Sequence, residues 1–203
     1  MIYLVRHGKT AYNKERRLQG QLDIPLAYEG LLQAEELGLR LQNEGRRFAK
    51  LYCSTLKRAR VTAEIIGRHM GLEPITIHGI EEIAFGKFQG HTFAEIEVLY
   101  PDEYADYLKD RASSTAHGGE NPKQVLARAR AALLALPEAL AALSGEADEA
   151  GDALIVCHGA VIAYLRAAAC GRALAEILDL IPDNAQLIPL GREDLERIEA
   201  YTL

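Results

Sequence analysis

Short apolar runs alternate with longer stretches of helical periodicity along this chain. Ala153-Leu154-Ile155-Val156-Cys157 is continuously apolar, the pattern of a strand covered on both faces. Ile2-Tyr3-Leu4-Val5 has the same character, and Lys50-Leu51-Tyr52-Cys53 is a weaker example. Leu31, Ala34, Leu37, Gly38 and Leu41 fall on one helical face, and Gly45 is placed to close that helix in a left-handed conformation. A second helix is expected from Leu56 to Met70, closed by Gly71. A third covers Pro122 to Leu143, bent or divided at Pro137, and a fourth begins after Gly159. The acidic, glycine-punctuated stretch 144–152 reads as a surface loop.

Strands alternating with helices specify an α/β fold: three layers, with a mainly parallel central sheet and helices on both faces. An added antiparallel strand is expected near Gln186–Leu190 or Leu195–Thr202. The length of 203 residues suits one domain over residues 1–203. In such sheets ligands bind beyond the carboxyl ends of the strands. Arg6-His7-Gly8 follows the first strand, Ser54 through Arg58 the second, and His158-Gly159 the run at 153–157. Three strand ends thus deliver two arginines and two histidines to one edge.

Composition narrows the setting. An apolar fraction of 49% with 26% charged residues belongs to an ordinary globular chain. No apolar stretch approaches the roughly 20 residues of a membrane-spanning helix, and the start has no secretory pattern, so a cytoplasmic location is expected. Cys53, Cys157 and Cys170 form no C-x-x-C pair, which points to neither a disulfide framework nor a zinc site. The net charge of −6 argues against nucleic acid as a partner. Residues 1–70 nevertheless carry 13 Lys/Arg against 7 Asp/Glu, so positive charge gathers at the end that holds Arg6 and Arg58. The sequence is compatible with a homodimer and does not specify one.

Phosphoryl transfer needs an in-line nucleophile, cations around the equatorial oxygens and an acid for the leaving oxygen. A neutral imidazole can attack phosphorus and form a covalent intermediate, and guanidinium forks match phosphate oxygens. Arg6-His7-Gly8-Lys9-Thr10 with Asn13 resembles the R-H-G-x-T-x-x-N signature of the histidine phosphatase superfamily, whose other well-known branch is the cofactor-dependent phosphoglycerate mutases. Gln19-Gly20, Asp23, Pro25-Leu26, Gly30 and Gln33-Ala34 follow in the family's order. Ser54, Leu56, Arg58-Ala59 and Thr62-Ala63 resemble its S-x-L-x-R-A-x-x-T-A segment. Glu82, Phe85-Gly86 and Gly90 resemble E-x-x-F-G-x-x-x-G, Gly119-Glu120 its G-E-S, and His158-Gly159 its second histidine motif, followed by a late Asn184.

That resemblance implies a phosphoglycerate mutase-like fold, His7 as the phosphorylated nucleophile and Glu82 as proton donor, with Arg6, Arg58 and His158 clamping the phosphate. It implies neither a metal nor an organic cofactor. Asn13 is expected to support the phosphate pocket, and Gln19 and Gly20 to line it. Glu120 fits two places equally, the pocket or the start of the long helix. His69, His78, His91 and His117 show no ligand spacing and are expected at the surface, with the border of the pocket as the alternative for His91 and His117.

Departures from the family pattern bear on substrate. Lys9 stands where Glu or Gln is common, and its charge is expected to favour substrates with a second anionic group. Ala27 replaces a capping Thr, Cys157 a Ser, and Asn121 the Ser of G-E-S. The variable segment Ile83 to His117, expected to cover the substrate, carries Phe85, Phe88, Phe93, Tyr100, Tyr104 and Tyr107, an apolar cover suited to a small organic phosphomonoester. It lacks the E-R-x-Y-G string by which mutases of the superfamily hold phosphoglycerates, which favours hydrolysis. The alternatives are a phosphoglycerate mutase and a phosphate-binding regulator without turnover. The presence of Glu82 speaks against the regulator, since a binder needs no acid.

Overall fold

The computed structural model describes residues 1–115, 117–146 and 151–203. Five strands, β1 (Ile2–Arg6), β2 (Lys50–Ser54), β3 (Pro74–Ile77), β4 (Ala153–Cys157) and β5 (Leu187–Leu190), form one sheet in the order β3-β2-β4-β1-β5. β5 alone runs antiparallel, pairing Ile2 with Leu190. The expected added strand therefore lies at the first of its two candidate positions. At the second, Arg192–Ala200 is a helix, because Leu195 and Ile198 are buried at helical spacing while the residues around them face solvent.

Alternate residues of the central strands enter opposite cores, which explains their unbroken apolar runs. Ile2, Leu4, Tyr52 and Ile155 pack on one side with α6 (Pro122–Leu134), α7 (Pro137–Ser144), α8 (Gly159–Ala169) and α9 (Arg192–Ala200). Tyr3, Val5, Leu51, Cys53, Leu154 and Val156 pack on the other with α2 (Tyr28–Asn43) and α3 (Lys57–Met70). The expected helix over 122–143 is divided at Pro137, which opens α7 at a position where a missing N–H costs nothing. The expected loop over 144–152 lies partly outside the described residues.

Two short helices, α4 (Phe93–Leu99) and α5 (Pro101–Lys109), build the cover over the carboxyl edge. Fully buried Phe88 is its centre, with the rings of Tyr100, Tyr104, Tyr107 and His117 at centroid distances of 5.4 to 6.4 Å. His117 is thus a core residue of the cover, contrary to the expected surface placement. Its imidazole accepts the Gly119 N–H at Nδ1, 3.0 Å away.

Candidate active site

The parallel register brings three strand ends level, with Arg6 beside Cys157 and Cys53 beside Val156. The His7 N–H continues the ladder to the Cys157 carbonyl at 3.0 Å. From the far edge, Asn184 Nδ2 donates to the His7 carbonyl at 2.8 Å, and the Ala185 N–H to that of Arg6 at 2.9 Å. The turn after His7 passes so close to α2 that a Cβ on Gly8 would stand 2.3 Å from the Gly30 carbonyl oxygen. Only glycine fits there. Thr62 closes the turn by accepting the Gly8 N–H at 3.0 Å and donating to the Arg58 carbonyl at 2.7 Å.

The tautomer of His7 follows from these contacts. Its Nδ1 lies 2.7 Å from the Gly8 carbonyl oxygen, which only accepts, so Nδ1 carries the proton. Nε2 then presents a lone pair, and Arg58 Nε donates to it at 3.3 Å. Burial, and after it the Arg58 guanidinium, holds the His7 imidazole well below its usual value, so the ring is neutral. Arg58 is itself fully buried; its Nη1 and Nη2 are fixed on the carbonyls of Leu22 and Gly20, each at 2.7 Å. Burial lowers its pKa to about 10, which leaves it charged at neutral pH.

The His158 ring lies 5.2 Å from that of His7 and is also neutral, its pKa pressed down by burial and by Arg58. Its Nε2 meets Ser54 Oγ at 2.8 Å, while Nδ1 is buried with no partner. Arg6 Nη1 donates to the Pro182 carbonyl at 2.7 Å, and its Nε is the second buried side-chain nitrogen left without a partner. Buried donors are nearly always paired, so the Arg6 Nε–H left unpaired among the described residues marks a place for an anion's oxygen, and His158 Nδ1 joins it in the tautomer in which Ser54 donates to Nε2.

Arg6, His7, Asn13, Gln19, Gly20 and Glu82 all line a cleft of about 170 Å³. Glu82 closes one wall; its carboxylate accepts the Ile83 N–H at 3.1 Å and, at the start of α8, that of Ala160 at 3.4 Å. Asn13 Oδ1 is engaged by the Thr10 N–H and hydroxyl, capping α1 (Ala11–Glu15), and Gln19 Oε1 accepts the same hydroxyl at 2.9 Å. Among the described residues, no group of three or more His, Cys, Asp or Glu is placed to hold a metal ion.

A family model described as histidine phosphatase superfamily (branch 1) matches residues 2–199. The chain belongs to that superfamily. Among its relatives, glucosyl-3-phosphoglycerate phosphatase of Mycobacterium tuberculosis is 34% identical over 168 residues, covering 82% of this chain and 74% of that protein. Phosphoglycerate mutase-like protein 4 of Arabidopsis thaliana is 33% identical over 182 residues, covering 88% and 75%. The solved structure of a mycobacterial glucosyl-3-phosphoglycerate phosphatase with VO3 superposes with a TM-score of 0.77 at 30% identity, covering 92% of this chain and 88% of that one.

Within this histidine phosphatase chain, Arg6, His7, Asn13, Gln19, Gly20 and Glu82 meet on the cleft wall, with Arg58 and His158 buried beside the His7 ring. Glu120 is not in the cleft. Its carboxylate takes the Ala84 N–H at 2.9 Å and both Nε and Nη2 of Arg128, at 2.7 and 2.8 Å. Lys9 is not among the residues lining the cleft, and its backbone bonds Gln33 and Ala27. Arg128 itself carried no motif signal. It reaches from α6 to the carbonyls of Gly79, Glu81 and Glu82 and fixes the loop that bears Glu82. Arg17, a second cation on the cleft wall, bonds Gly90 and Glu95 and joins the amino-terminal segment to the cover.

Proposed function

We propose that this chain is a phosphomonoesterase that hydrolyses a small organic phosphate through a phosphohistidine on His7. The observation that carries the reading is the fixed tautomer: Nδ1–H is held by Gly8, and the Nε2 lone pair, on which Arg58 Nε rests at 3.3 Å, belongs to a ring on the cleft wall beside Arg6. Nε2 attacks phosphorus as the ester oxygen departs with a proton from Glu82; water that gives its proton to Glu82 then attacks phosphorus and frees Nε2. Arg6, Arg58 and the unpaired nitrogen of His158 receive the charge on the equatorial oxygens in both steps. Asn13, Gln19 and Gly20 shape the phosphate side of the cleft.

The relatives' printed names, among them a glucosyl-3-phosphoglycerate phosphatase, support phosphate-ester chemistry. An exposed, unpaired Cys170 supports a reducing, cytoplasmic setting, and no described helix is long and apolar enough to cross a membrane. The test is phosphate release from a panel of phosphomonoesters, with acid-quench trapping of the phosphoenzyme. Turnover that resists chelator, and that His7→Ala lowers by about a thousandfold or more together with the trapped phosphohistidine, is the expected result. Activity retained in His7→Ala removes the nucleophile. Dependence on an added bisphosphate for phosphoryl exchange between substrate oxygens points to a mutase instead.

A further inference from the structure

Beside the phosphate cleft lies a second hollow of about 170 Å³ that shares Leu18, Phe85, Ala160 and Ile181 with it. The two therefore share a wall, and Ala160, whose N–H bonds the Glu82 carboxylate at 3.4 Å, stands on that side of both. A leaving group protonated by Glu82 departs toward that side. What lines the second hollow differs in kind from what lines the first. Phe93, Tyr107, Tyr164, Leu174, Ile177 and Leu178 form its walls, and the one charged side chain is Arg111, whose guanidinium lies 5.7 Å from the Tyr107 ring centre.

An alcohol rich in hydroxyls or carboxylates needs a hydrogen-bond partner for each polar atom it buries, at a cost of about 1–3 kcal/mol for each one left unpaired. These walls provide the phenol oxygens of Tyr107 and Tyr164 and one guanidinium, that of Arg111 against the Tyr107 ring, and the rest is hydrocarbon. An aromatic ring, in contrast, gains roughly 25 cal/mol for each Å² of apolar surface it removes from water, and more by packing against other rings. Size agrees with this, since an apolar cavity of about 150 Å³ holds a benzene ring.

We infer that the hollow is the subsite for the alcohol half of the substrate and selects aromatic or compact apolar alcohols over polyhydroxylated ones. The inference rests on the hydrolysis proposed above. It differs from a preference read off the relatives, whose printed names include a glucosylated phosphoglycerate.

Benzyl phosphate and glycerol 3-phosphate test it, because both release an alkyl alcohol and so make similar demands on the acid. The expected result is a kcat/KM at least tenfold higher for benzyl phosphate, expressed mainly in KM. Ala175 stands on the wall of the hollow, and Ala175→Trp fills it, so the benzyl-to-glycerol ratio is expected to fall about tenfold. A ratio of rates measured on one preparation is independent of how much of the variant folds. Turnover of both esters without preference for benzyl, or a preference unmoved by Ala175→Trp, overturns the subsite while leaving hydrolysis intact. Turnover of neither ester overturns both readings.

Discussion

Arg58 Nε lies 3.3 Å from His7 Nε2, so the buried cation rests on the lone pair of the imidazole it serves. In the free protein this contact satisfies two groups that burial would otherwise leave unpaired. An arriving phosphoryl group offers the guanidinium a better acceptor and releases the lone pair at the same moment. Arg58→Lys keeps the charge but loses the fork. We expect kcat/KM to fall about a hundredfold or more with overall folding retained, checked by steady-state kinetics alongside circular dichroism. Near-wild-type kinetics for the lysine variant would show that a point charge is enough.

Glu82 is expected to matter in proportion to how poorly the alcohol leaves. Glu82→Gln should slow an alkyl phosphate by about 10²–10⁴-fold, the usual reach of general acid catalysis. p-Nitrophenyl phosphate, whose phenolate needs little protonation, should be slowed far less. Equal slowing of the two esters would assign Glu82 to binding.

The loop that carries Glu82 belongs to no helix or strand, and Arg128 is what holds it. Arg128→Leu removes the donor that the Gly79, Glu81 and Glu82 carbonyls and the Glu120 carboxylate share, leaving Glu82 with Gln21 and Glu120 with Ala84. We expect a loss of about 1–3 kcal/mol in stability and a drop in kcat larger than any rise in KM. A further readout separates positioning from mere stability. The slowing should be greater for an alkyl phosphate than for p-nitrophenyl phosphate, as for Glu82→Gln, and an equal effect on the two would count against it.

Both active-site imidazoles are neutral in the folded chain, their pKa values held well below 6.5 by burial. Once unfolded, each takes up a proton as the pH drops through about 6.5, while the folded chain does not. The unfolded state therefore binds more protons in acid, and stability falls as pH falls below about 6.5, by at most about 1.4 kcal/mol per pH unit for each histidine. The thermal midpoint should decline between pH 7 and pH 5.5, and His158→Gln should make that decline shallower. A midpoint rising over this interval would contradict neutral, buried rings.

The parts of the molecule legible in sequence were those where one physical demand acts along a continuous stretch. β1 and β4 face apolar helices on both sides, so their runs are unbroken and their ends locate His7 and His158. β3 was not anticipated because it is an edge strand opened by Pro74 and with Ile75 42% exposed, which leaves no such run. Glu120 fits two places in the sequence because adjacency in a motif does not say which way a side chain points, and the bonds to Arg128 decide between them. Arg128 and His117 were missed for the opposite reason. Their work is done through backbone atoms and ring packing supplied by distant segments, and a lone arginine in a helix or a lone histidine in a loop is indistinguishable from a solvated one.

Ala84 and Glu120 grip each other at the base of the cover. The Ala84 N–H bonds the Glu120 carboxylate, the Glu120 N–H returns to the Ala84 carbonyl at 2.8 Å, and a Cβ on Gly119 would meet that same carbonyl at 2.0 Å. Residues 85–119 thus leave and re-enter the body through a single clasp, on the far side of which Glu82 is already fixed. The cost of closing a loop grows only slowly with its length, so what hangs from the clasp can be lengthened, shortened or rebuilt without disturbing the acid. The chain thus anchors both ends of the segment at one point, while Arg17 and Leu18 tie its middle to the amino-terminal segment through Gly90, His91 and Glu95.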